Sequence, residues 1–98
     1  MPARTWKQDL DDLLAVLRRT QAVRDERREF VKTPDGTAQL GWVLYEREQM
    51  FAAVNGLRAK AGKDPVALEK LTSAETRAAG HIDYTSKFAM GCADLVAR

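Results

Sequence analysis

The 98-residue sequence has one cysteine, one histidine, three prolines and six glycines. Each scarcity excludes something. A lone Cys92 cannot form an internal disulfide, so the chain is no disulfide-stapled scaffold, and a reducing compartment is its natural setting. One histidine, with no CxxC, no HExxH and no Glu-x-x-His pair, leaves no metal-ligand spacing. No glycine-rich loop is present to cradle a phosphate. The expectation is therefore no metal, no cofactor and no catalytic residue. No run of about 18 apolar residues exists, which predicts no membrane span. The opening "MPARTWKQDLDDLL" turns acidic where a signal peptide needs an apolar core. The predicted location is cytoplasmic, in a bacterium or an infected host cell.

Charge of one sign is also missing. Sixteen basic residues face fourteen acidic ones, a net charge of +2, too balanced to point to nucleic acid by itself. What is present suits a folded helical chain: 45% apolar and 31% charged residues, outside the disordered regime. Fifteen alanines and ten arginines favour long helices and suggest a high-GC source genome. A chain of this length forms one domain, residues 1–98, with one modest core and little room for a deep cleft.

Punctuation divides the chain into three predicted helices. Thr5 and Gln8 match a capping box, and Asp9, Asp11 and Asp12 suit the positive end of a helix dipole. Trp6, Leu10, Leu13, Leu14 and Leu17 then share one stripe. Beyond it the apolar positions move to Val16, Val23 and Phe30, so the second half bends or offers another seam. "KTPDGT" breaks the pattern, with Thr33 as cap and Pro34 at the first position of a second helix. A rival reading makes it a hairpin turn between strands "EFV" and "AQLGWVLY", within residues 30–45. The second helix runs to about Ala61, with Gly62 as its C-terminal cap. Leu40, Val43, Leu44, Met50, Phe51, Val54 and Leu57 form its stripe. Trp42, Tyr45, Ala52, Ala53 and Gly56 lie opposite. After "GKDP", Asp64 can cap and Pro65 can open the last helix. "TSAE", Thr72 to Glu75, is a second capping-box signature. The last helix is then one rod, or a short turn followed by a rod from Ser73. The predicted fold is all-α: a three-helix bundle with helices at about 5–31, 34–61 and 65–97. The last two form an antiparallel hairpin across the short link.

Candidate sites follow from the exceptions. "GHIDYTSKF" holds His81. On a continuous helix it falls mid-stripe with Ala78, Ile82, Phe88 and Cys92, while Asp83 lies on the far side and cannot orient the imidazole. His81 and Cys92 are eleven residues apart, roughly 16 Å along a helix axis, too far to share a metal. His81 is therefore read as a packed or interfacial residue, and Cys92 as a small buried one. Arg47 and Arg58 interrupt an apolar stripe and are expected to pair with an acid of another helix or subunit. Trp42, Tyr45 and Ala53 are the expected contact with a partner chain, because a large indole beside small neighbours suits an interface. "RRTQAVRDERRE" offers Arg18, Arg19, Arg24, Arg27 and Arg28 to nucleic acid or an acidic partner. They are interleaved with acids and do not gather on one face.

"MFAAVNGLRAKAGKDPVAL" resembles the opening helix of the cysteine-rich secretory and pathogenesis-related domain, through a V-N-x-x-R-x-x-x-G-x-x-P pattern. The likeness covers under a quarter of the chain. It implies a three-layer fold with strands and further histidines and glutamates. This chain is too short for that fold and has only His81, so no residue role is carried over.

The predicted function is a non-enzymatic helical interaction or structural protein, a small component of a larger assembly. A phage virion or head–tail component is the concrete expectation, with a protein partner or self-association. The alternative is a small regulator that binds nucleic acid or a protein through the arginine-rich part of the first helix.

Overall fold

A computed structural model describes residues 4–26 and 37–98, with backbone alone at 37–40. These residues form four helices and no strand: α1 (Trp6–Glu26), α2 (Thr37–Lys60), α3 (Leu68–Ala78) and α4 (Tyr84–Ala97). The bundle brings α1 onto α4 and α2, and packs α3 against α4.

The start of α1 forms as its sequence dictates. Thr5 N donates to Gln8 Oε1 at 2.8 Å, and Gln8 N donates to Thr5 Oγ1 at 3.2 Å, so each residue satisfies a backbone donor of the first turn. Arg4 bonds Asp9 and Asp12 just beyond. Leu13 and Leu17 are buried, and Leu10 and Leu14 pack at the core's edge. Trp6 remains 43% exposed. Residues 27–31 of the predicted first helix lie outside the described residues, as do Thr33 and Pro34.

The strand reading of "AQLGWVLY" is overturned, because α2 runs unbroken through it. A lone hairpin with no third strand is marginal, whereas helical spacing lets Met50, Val54 and Leu57 all reach the core. The predicted stripe fails in the first turns, where Val43 and Leu44 are 41% and 46% exposed. The reason is register. Tyr84, at the start of α4, lies near Glu46, and Leu95, near its end, is held by Arg58. α4 therefore covers α2 only from about Glu46 onward.

α2 stops at Lys60, and Gly62 just beyond has a φ of 74°, which suits a residue without Cβ. Lys63 N reaches back to Arg58 O at 2.9 Å. The link to α3 is then held by side chains. Val66 N donates to Asn55 Oδ1 at 2.9 Å, and Arg58 Nε donates to Asp64 O at 2.6 Å. Arg58 also reaches Leu95 O, and Lys63 Nζ donates to Val96 O and Ala97 O, each at 2.9 Å. The V-N-x-x-R-x-x-x-G-x-x-P spacing is thereby explained locally. Asn55 and Arg58 clamp the turn that Gly62 and Pro65 make.

The single helix expected over 65–97 is two helices. Asp64 and Pro65 do not start it; α3 begins at Leu68, without a side-chain cap. Thr72 is no cap either, because it lies inside α3 and donates its hydroxyl to Leu68 O at 3.1 Å. Between Ala79 and Asp83 the chain turns, and Asp83 Oδ1 accepts from Ser86 N at 3.2 Å to open α4. A straight rod of 33 residues would stretch about 50 Å and leave half its apolar face uncovered. The break returns Phe88, Ala89, Cys92, Ala93 and Val96 to the core.

Small side chains let α3 and α4 come close. A Cβ on Gly91 would sit 3.1 Å from the Cβ of Ala74. Gly91→Val should therefore destabilise the fold by about 1–3 kcal/mol through overpacking. Arg58→Met, which leaves two carbonyls without their charged donor, should cost about 2–4 kcal/mol. Urea unfolding checks both; an unchanged midpoint for Arg58→Met would mean that the clamp contributes nothing.

Candidate functional site

Two features stand out once the helices are in place: a polar layer inside the bundle and an open face along α2. The polar layer lies at the level where α4 begins. Arg24, late in α1, donates to Glu46 Oε2 at 2.9 Å. One residue on, Arg47 donates to Glu75 of α3 through both Nε and Nη2, at 3.2 and 2.5 Å. Glu46 is buried, with 8% exposure. Tyr84, at the start of α4, is near enough to feel both glutamates, and Cys92, two turns further along, feels Glu75. Two arginines neutralise two glutamates, so the layer carries no net charge.

Its electrostatics follow from burial. Desolvation raises the Glu46 carboxyl above its ordinary value; Arg24 opposes that shift and Glu75 adds to it. The hydrogen bond that Arg47 donates to Glu75 raises the Arg47 guanidinium. Burial, then the two glutamates, push the Tyr84 phenol far up. Burial, then Glu75, push the Cys92 thiol up to about 12. At neutral pH the thiol and the phenol are thus protonated and poor nucleophiles. The arrangement ties α1, α2 and α3 together through two ion pairs. Among the described residues no three of His, Cys, Asp and Glu gather at a spacing that could hold a metal ion, and no helix is long and apolar enough to cross a membrane.

The open face runs along α2 beside α1. A shallow groove of about 310 Å³ runs between α1 and α2. Asp12, Ala15, Val16 and Arg19 line one wall, and Ala53, Gly56, Leu57 and Lys60 the other. It is too open to enclose a small molecule, and Ala15, Ala53 and Gly56 are the small residues of its lining. By helical spacing Trp42, Gln49, Ala53, Gly56 and Lys60 fall along one line of α2. Trp42 is half-buried and meets Tyr45 edge-on, with ring centroids 5.5 Å apart at 88°. Tyr45 is 38% exposed, beside Val43 and Leu44.

No protein-family model, no curated protein and no solved structure matches the chain. Its residues must be read on their own chemistry. Arg47 meets an acid on another helix of the same chain. Arg58 is buried and bonds two backbone carbonyls where a carboxylate was expected. His81 does not lie mid-stripe, because the helix it was placed on stops at Ala78. It sits exposed in the α3–α4 turn, beside a fully exposed Ile82. Arg18 and Arg19 are exposed and Arg24 is committed to Glu46; Arg27 and Arg28 lie outside the described residues. The polar layer as a unit escapes sequence reading. Its one signal is Arg47 in an apolar stripe, and nothing local says that Glu75, 28 residues away, is its partner.

Glu46 provides a pH test. An acid whose folded pKa is raised binds more protons folded than unfolded, so its contribution to stability falls as pH rises through the folded value. Glu46→Gln removes that loss while leaving Arg24 an acceptor. The variant should be more stable than the parent at neutral pH, by up to about 1 kcal/mol. The difference should vanish as pH drops below the ordinary glutamate range. Thermal unfolding across pH measures it, and a gap that widens in acid would contradict the assignment.

Proposed function

We propose that the chain is a non-enzymatic helical interaction protein, a small structural part of a larger assembly, with a phage virion or head–tail component as its concrete setting. In this reading it acts inside the cell. α2 and α3, joined across the Gly62–Ala67 link, work as an antiparallel helical hairpin whose outer side meets a partner.

The observation that carries the reading is the first part of α2. Val43, Leu44 and Tyr45 are consecutive, large, apolar and 38–46% exposed, with Trp42 next to them. Single exposed apolar residues are ordinary, but three in succession spread over about 200° of a helix, so this part of α2 offers apolar surface around most of its circumference. Trp and Tyr are the side chains that anchor interfaces most strongly. The regulator reading gains less support, since Arg24 is spent on Glu46 and the remaining described arginines of α1 are two neighbours, Arg18 and Arg19.

The reading is tested in cell extract. The chain should migrate far above its own 11.0 kDa on gel filtration. Leu44→Asp with Tyr45→Asp should return it to the position of a free chain without loss of helix content. Trp42→Ala should weaken the association by about 2 kcal/mol or more. Migration of the parent chain as a free 11.0 kDa species would sink the reading.

A further inference from the structure

We infer that the α1–α2 groove is a self-association surface, on which a second copy of this chain lies in antiparallel, two-fold fashion. The inference deepens the assembly reading above and rests on it; it names the first partner as the chain itself.

Gly56 is the starting point. Glycine weakens a helix interior because it adds backbone freedom and packs nothing. Gly91 has a reason within the chain, since Ala74 leaves no room for a side chain there. Gly56 has none: a Cβ built on it meets nothing within 4 Å. Among the described residues nothing requires a bare backbone at Gly56. A helix approaching from outside would, and the flanking Ala15 and Ala53 keep the approach shallow and close.

Charge then selects the occupant. Asp12 and Arg19 lie seven residues apart on the groove face of α1, with Ala15 and Val16 between them. Seven residues are two helical turns, so the two charges share one line about 10 Å apart. Place a two-fold axis across the helix between Ala15 and Val16. Asp12 of each copy then faces Arg19 of the other, and the pair forms twice. A parallel arrangement would set Asp12 on Asp12 and Arg19 on Arg19, which like charge opposes. The pattern is thus complementary to its own reversal, the requirement for an isologous contact. Arg4 already bonds Asp12, yet the Asp12 side chain stays 54% exposed and can accept a further donor. Trp42 lies on the same line of α2 as Gly56, fourteen residues or about 21 Å away, so the contact can extend along the helix to the indole.

Sedimentation equilibrium of the purified full chain tests this, from low micromolar to millimolar concentration. The parent chain should shift reversibly from one 11.0 kDa chain to two. Gly56→Leu should hold it at one chain with unchanged circular dichroism, because the new side chain fills only the groove. Arg19→Asp should weaken association by about tenfold or more, and adding Asp12→Arg should restore it. These two changes are on the surface and keep the test valid if Gly56→Leu disturbs the fold. A single chain at every concentration overturns the inference. So does a dimer that Gly56→Leu and Arg19→Asp both leave intact, or one that the double charge exchange fails to restore. None of these three results decides the assembly reading, which the extract experiment measures separately.

Discussion

Arg58 is the point on which the helices converge. It leaves α2 in the last turn, and its guanidinium reaches the carbonyl of Asp64 in the link and that of Leu95 in α4. A buried arginine is costly unless its donors are met. Meeting them here fixes three things together: where α2 stops, how the link turns, and where α4 sits along α2. Lys63 adds its ammonium to the last carbonyls of α4, where a helix end carries partial negative charge. The register set at this end decides which residues are covered at the other.

That other end is the polar layer. Arg24–Glu46 and Arg47–Glu75 tie α1, α2 and α3 at one level, and the core of Leu13, Met50, Val54, Leu71 and Phe88 lies to one side of it. Paired charges inside a bundle do less for stability than for choice among packings. Sliding α3 by one turn would part Arg47 from Glu75 and leave both poorly solvated. On the far side of the layer α2 continues with Val43 and Leu44 exposed. The same register that completes the core therefore leaves a segment without cover, and this uncovered segment is the basis for the proposed assembly role.

Sequence reading recovered what local chemistry controls. The Thr5–Gln8 box, the stop at Gly62 and the burial of Leu13, Leu17 and Cys92 all follow from side chains acting on their own neighbourhoods. It failed where two local signals competed. Thr72 and Glu75 have the spacing of a capping box, but Thr72 sits one turn into α3 and bonds Leu68 O instead. "AGHID" lacks proline, so periodicity carried the helix through it, whereas Gly80 and the Asp83 cap make a turn cheap there. That turn is why His81 is exposed between α3 and α4 and does not lie on a helical stripe. Arg58 announced itself by interrupting an apolar stripe, but its acceptors are backbone carbonyls, which no sequence pattern marks. Glu46 and Glu75 were visible as acids; that they occupy one layer depends on the register of three helices.

The packing of α1 directly on α4 has a consequence for how the chain acquires its structure. α1 is synthesised before α4, with more than 55 residues between Glu26 and Tyr84. Leu13 and Leu17 have no complete burial site until Phe88 and its neighbours exist. On a ribosome that adds residues one at a time, the early helix can form turns but cannot close a core. Loop-closure entropy for the α1–α4 contact grows only slowly with the length between them, so the wait, not the closure, dominates. Folding of this domain therefore waits on α4, and until α4 is available the apolar stripe of α1 remains open to whatever else is nearby.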